Sequence, residues 1–169
     1  MKWSITYYYN IKYLKPNQLP LSTAMWPPKF FLTTYGMNNG IHFDKRAIIL
    51  GLTAKLLVPQ QQCECPCEKK DYQHCSFLKT YYEQLSKINF DSYIHSKERL
   101  ISKLSAIIGH NIDEIVLLVY EKPDNPCSER TILKKWFKEH GIELDETIIE
   151  KGGKLWVSIK LCLITKRTL

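Results

Sequence analysis

Ile115-Val116-Leu117-Leu118-Val119-Tyr120 constrains this chain more than any other stretch. A strand with one wet face alternates apolar and polar residues. An unbroken apolar run is a strand covered on both faces, the habit of parallel sheets flanked by helices. Glu121-Lys122-Pro123-Asp124-Asn125-Pro126 breaks the run. Ile132, Leu133, Trp136 and Phe137 then recur at helical spacing, and Gly141 stops the helix. Strand, turn and helix in succession predict an α/β fold. The expectation is one domain over 1–169 with a small central mixed, mostly parallel sheet flanked by helices. A cysteine-rich insertion at about 60–76 and a C-terminal strand or hairpin complete it.

The turn carries chemistry. With Asn125 as N-cap and Pro126 as the first helical residue, Cys127 falls in the first turn beside unpaired backbone N–H groups. Those amides and the helix dipole favour a thiolate or a bound anion. Arg130 stands about one turn on, with a guanidinium suited to a bidentate grip on phosphate or carboxylate. Ligands of open α/β sheets bind at the carboxyl ends of strands, where Glu121, Cys127 and Arg130 all fall. A plainer reading competes: Cys127 as a small packed residue, and Arg130 paired with Glu129, Glu121 or Asp124 on the surface.

The run Val116-Leu117-Leu118-Val119-Tyr120-Glu121-Lys122-Pro123-Asp124-Asn125-Pro126-Cys127-Ser128-Glu129-Arg130, followed by Trp136 and Gly141, resembles the core motif of the domain of unknown function 488 family. Tyr7-Tyr8-Tyr9, Leu19 to Ala24 and Pro28-Lys29-Phe30-Phe31 are similar to that family's opening. The resemblance covers about residues 1–146 with gaps and implies an α/β fold without implying an activity. The chain departs from the motif where Ser128-Glu129 stand in place of the single His that many members carry between Cys and Arg.

The formal net charge is +7, from 24 basic and 17 acidic residues. In the first 55 residues Lys2, Lys12, Lys15, Lys29, Lys45, Arg46 and Lys55 face only Asp44. Interleaved with Trp3, Tyr7, Tyr8, Tyr9, Tyr13 and Trp26, this composition suits nucleic-acid backbones and base stacking. It equally describes a strand with an aromatic packing face and solvated lysines. Residues 1–15 lack the basic start and apolar run of a signal peptide, and no apolar stretch is long enough to span a membrane. A cytoplasmic protein is the expectation.

Four of the six cysteines cluster: Cys63, Cys65, Cys67 and Cys75, spaced Cys-x-Cys-x-Cys-x7-Cys, with His74 adjacent. Four thiols so close together suit a tetrahedral zinc better than two disulfides, and four protein ligands make such a zinc structural. An iron–sulfur cluster and free thiols are the alternatives, and His74 is an alternative ligand.

Along the chain, Ser4 to Leu14 reads as a strand, and Pro20, Pro27 and Pro28 predict a loop over 16–28. Ala47 to Leu52 reads as a core segment. Phe77, Leu78, Tyr81, Leu85 and Ile88 predict a helix. A second helix begins at a cap on Asp91, turns Ile94, Ile101, Leu104 and Ile108 inward and ends at Gly109. Glu143 to Glu150 and Leu155 to Leu163 read as a closing hairpin.

Crossover geometry brings Tyr9, Asn10, Ser22, Thr23, Lys29 and Arg46 toward Cys127. The expected function is to bind a phosphorylated small molecule, nucleotide or nucleic-acid component, with Tyr9, Ser22, Lys29, Arg46, Asn125 and Arg130 as ligand-binding residues. The alternatives are an enzyme and a protein-capture module. The enzyme would use Cys127 as nucleophile, Arg130 as oxyanion stabiliser and Glu121 as acid or base, with His42 or His140 as a distant base. A phosphatase loop is disfavoured, because it needs five residues between Cys and Arg, and two stand here.

Overall fold

Four strands lie side by side and all parallel in the described part of the computed structural model, which covers residues 1–24, 26–31, 53–61, 75–109 and 111–147. The strands are β1 (Lys2–Tyr7), β2 (Gln18–Ser22), β3 (Glu114–Val119) and β4 (Asp145–Glu146), ordered β2-β3-β1-β4. β3 is central, with all six residues buried, as its unbroken apolar run requires. Its register sets Tyr7 opposite Val119 and Ser22 opposite Leu118, so the carboxyl ends of β1, β2 and β3 meet at one edge of the sheet.

Three helices follow the expected periodicity: α1 (Ser76–Leu85), α2 (Phe90–Ile108) and α3 (Glu129–Glu139). α3 buries Ile132, Leu133, Trp136 and Phe137. Trp3 of β1 meets Phe137 of α3 at 5.2 Å and Tyr93 of α2 at 6.2 Å between ring centroids, while Phe90 meets Trp136 edge-on at 4.9 Å. Such offset and edge contacts add to the burial of these large rings. Gly109 caps α2 at φ 76°, and Gly141 follows α3 at φ 80°. At the second site Gly141 N donates to Lys138 O and Ile142 N to Phe137 O, the paired bonds of a Schellman cap, which needs the left-handed backbone glycine tolerates.

Several boundaries differ from expectation. The first strand ends at Tyr7 and a 3-10 helix, Tyr8–Tyr13, follows instead of continued strand to Leu14. The proline-bearing stretch expected to be loop contains β2 with Pro20 inside it. That is permitted because β2 is outermost among the described strands, and Pro20 turns its N away from β3, which Thr23 N reaches at Leu118 O. α2 is capped by Asn89, whose side chain accepts from Ser92 N at 2.9 Å; Asp91 sits in the first turn, where a negative charge suits the dipole. The first arm of the expected hairpin holds β4, which runs parallel to β1. Its second arm, 155–163, the segment 47–52 and the cysteine-rich stretch before Cys75 lie outside the described residues.

Candidate functional site

The end of β3 and the start of α3 form the site, and the helix begins later than the turn chemistry suggests. Ser128, not Asn125, is the N-cap: its Oγ accepts from Arg130 N at 3.1 Å. Asn125 instead accepts from Cys127 N at 3.0 Å, which holds 125–127 in a turn ahead of the helix. Cys127 therefore precedes the N-cap rather than lying in the first turn, and it is only 4% exposed. The acidifying amides expected around its thiol belong to residues after Ser128.

Arg130 is buried and engaged. Its Nη1 donates to both oxygens of Glu146 on β4, at 2.5 and 2.6 Å, and its Nη2 to Glu121 O at 2.8 Å. Lys134 joins Glu146 at 2.9 Å. The fork expected to hold a ligand anion holds a carboxylate of the protein itself, and the partner is Glu146 rather than the nearer acids weighed from sequence.

What faces the carboxyl end of the sheet is an acidic residue. Glu129, the first residue of α3, is buried at 7% exposure. Its Oε1 lies 2.6 Å from Thr23 Oγ1, just beyond the end of β2, and the same hydroxyl donates to Leu118 O at 2.8 Å. Burial is the main force lifting the Glu129 carboxyl, aided by the charge of Glu121 and outweighing Thr23 and Arg130; the result is a pKa pushed up to about 8. The hydrogen bonds agree. A threonine hydroxyl has one proton and a carbonyl only accepts, so both contacts hold together when Glu129 is protonated and donates to Thr23.

Beside these groups opens a cavity of about 510 Å³. Its polar lining is Thr23, Gln61, Glu121 and Glu129, and Trp26, Phe77 and Tyr120 line it with aromatic rings, joined by Ala24, Val58 and Pro59. Tyr120 donates its hydroxyl to Trp26 O at 2.7 Å, which ties the Tyr120 ring to the backbone of Trp26; Trp26 itself is 77% exposed. Beneath, Tyr8 and Ser22 share a 2.6 Å hydrogen bond and Ser22 Oγ donates to Ala24 O, fixing the floor. No lysine or arginine lines the cavity among the described residues.

Of the residues expected to converge, Thr23 and Glu121 reach the cavity. Ser22 is buried under it; Tyr9 and Lys29 are exposed and do not line it; Asn10 donates to Thr6. Asn125 and Arg130 serve the turn and the ion pair. His140 caps the far end of α3, stacked on Phe90 at 4.2 Å. Arg46 and His42 lie outside the described residues, as do Cys63, Cys65 and Cys67, while Cys75 is buried just before α1. The sequence reading gives Glu129 only a surface role, although the signal for burial is there: 129, 132, 133, 136 and 137 are one helical stripe, so a glutamate heads an otherwise apolar face.

No family model matches the chain, and neither a curated protein nor a solved structure is similar to it. Among the described residues no helix is long and apolar enough to cross a membrane.

Proposed function

We propose that this protein binds a planar nitrogenous ring, a nucleobase or nucleoside, in the cavity at the carboxyl end of its sheet. The observation that carries the reading is a cavity lining that combines three aromatic rings with two carboxyl groups. Trp26, Phe77 and Tyr120 offer ring faces for stacking, and Glu121 and Glu129 offer oxygens to ring and exocyclic N–H groups. The size is that of a small-molecule pocket. Within the broader expectation of a nucleotide or nucleic-acid ligand, this assigns the base, not the phosphate, to the pocket, since Arg130 is already paired with Glu146.

Nucleosides, free bases and their 5′-monophosphates titrated by calorimetry test the proposal. A nucleoside should bind, its phosphate should add little, and Trp26→Ala should weaken binding by about tenfold or more through lost stacking. Binding confined to the phosphorylated forms and abolished by Arg130→Ala would favour the anion reading instead.

A catalytic use of the same pocket has one observation in its favour: a carboxyl with a pKa near 8 moves protons close to neutral pH. In that reading Glu129 is the acid, and Cys127, which is outside the cavity lining, is not the attacking group.

A structural zinc on Cys63, Cys65, Cys67 and Cys75 belongs to the proposal as well. It is motivated by their clustering, and the burial of Cys75 at the head of α1 suits a ligand that ties this segment to the core. Metal analysis of freshly purified, reduced protein should find one zinc per chain; protein free of zinc and iron would remove it.

A further inference from the structure

The pocket is one end of a longer aromatic and basic surface. Tyr9, 66% exposed, packs on Phe30 at 5.4 Å between centroids and on Tyr7 at 6.0 Å. Tyr8, next to Tyr9 in the chain, contacts the cavity-lining Tyr120 at 4.8 Å and Phe31 at 5.9 Å. Exposed Tyr9 thus rests on half-buried Tyr7 and Phe30, and exposed Tyr120 on buried Tyr8, just past the carboxyl ends of β1 and β3. Exposed rings grouped in this way mark interaction surfaces more often than rings scattered singly.

Positive charge accompanies them. Lys12 lies three residues after Tyr9 in a 3-10 helix, a spacing that stacks the two on one side of it. Lys29 adjoins Phe30, and Lys122 follows Tyr120-Glu121; all three lysines are exposed. Glu121 and Glu129 line the cavity, while Asp124 is exposed in the turn beyond Lys122. Two carboxyl groups therefore stand where a base edge would enter, and the three lysines outnumber the one exposed acid of that turn where a sugar–phosphate chain would leave.

We infer that the occupant is a base within a single-stranded nucleic acid, with the neighbouring nucleotides stacked on Tyr9 and Phe30 and their phosphates near Lys12, Lys29 and Lys122. This rests on the base-binding reading of the pocket. It adds that the ligand is a polymer. Neutralised phosphates release counterions, so the affinity is salt-dependent, and ring stacking makes it tolerant of sequence.

The test compares a nucleoside with short single-stranded oligonucleotides by calorimetry and fluorescence anisotropy over a series of salt concentrations. Oligonucleotides should bind at least about tenfold more tightly than the nucleoside. Tyr9→Ala should remove about tenfold of that gain, and the double variant Lys12→Ala/Lys29→Ala should lower the salt slope by about 1.4, both leaving nucleoside affinity unchanged. Circular dichroism of each variant confirms that the fold is kept. If nucleosides bind and oligonucleotides bind no better, or if the surface variants change nothing, the polymer inference fails and the pocket reading stands. If no nucleoside binds, the pocket reading fails and takes this inference with it. Oligonucleotide binding that survives Trp26→Ala unchanged likewise overturns it, because the strand would then lie away from the cavity. So does a result in which the surface variants cost the protein a protein partner and leave oligonucleotide affinity intact.

Discussion

Glu129→Gln is expected to make the protein more stable than the wild type at pH 7, and by a margin that depends on pH. The folded carboxyl has a pKa raised from 4.5 to about 8, with burial as the leading cause. Below pH 4.5 both folded and unfolded chains hold the proton, and the native carboxyl contributes in full. Between 4.5 and 8 the unfolded chain releases its proton while the folded one keeps it, so stability falls as pH rises, by a factor of about ten in the folding equilibrium per pH unit. Above 8 both are ionised and the loss is complete, on the order of 5 kcal/mol over the window. Glutamine keeps a donor for Thr23 and does not titrate. Urea melts of both proteins from pH 5 to 8 should show the variant's advantage widening with pH; a constant difference would mean that the folded Glu129 is ionised throughout.

Glu146→Ala should cost about 3 kcal/mol, a loss of roughly 6–12 °C in Tm for a chain of this size. The side chain of Arg130 is 4% exposed, whereas that of Glu146 is 36% exposed, so deleting the carboxylate leaves a buried cation with the Glu121 carbonyl as its remaining hydrogen-bond acceptor among the described residues. The Arg130 Nε is already buried without a partner among the described residues, so no slack exists to absorb the change. Arg130→Met, which removes the charge together with its need for a partner, should cost less, since apolar replacement of a buried ion is often tolerated. Thermal melts of the two variants decide. If Glu146→Ala melts like the wild type, the pair is not what holds β4 beside α3.

The two variants bear on what sequence reveals and what it hides. The α/β class, the buried central strand, the stripe of α3 and its glycine stop all follow from local periodicity, and each is present. What stayed hidden depends on partners distant in sequence. Asn125 and Ser128 are both competent N-caps, and the choice between them is made by Arg130 N reaching Ser128 while Asn125 closes the preceding turn. That choice moved Cys127 out of the helix. Arg130 is paired with an acid sixteen positions on, brought near only when β4 docks beside β1. In the plainer sequence reading Glu129 is a surface partner for Arg130. Instead it is buried against Thr23, 106 positions away, a contact no periodicity within α3 encodes. The cavity walls are the clearest case, since Trp26, Pro59, Phe77 and Tyr120 belong to four separate stretches and meet only at the sheet's end.

Pro20 bears on how this sheet meets the outside world. An outer strand normally offers a row of amide hydrogens to any passing chain. On the outward side of β2, Gln18 spends its N–H on Lys15 O at 3.0 Å, Pro20 has none to give, and the Ser22 carbonyl is taken by Ala54 N at 2.8 Å. A foreign strand arriving there would find the donors at 18 and 20 and the acceptor at 22 already withdrawn. Among the described residues, the chain's own chemistry leaves that flank of the sheet a broken ladder.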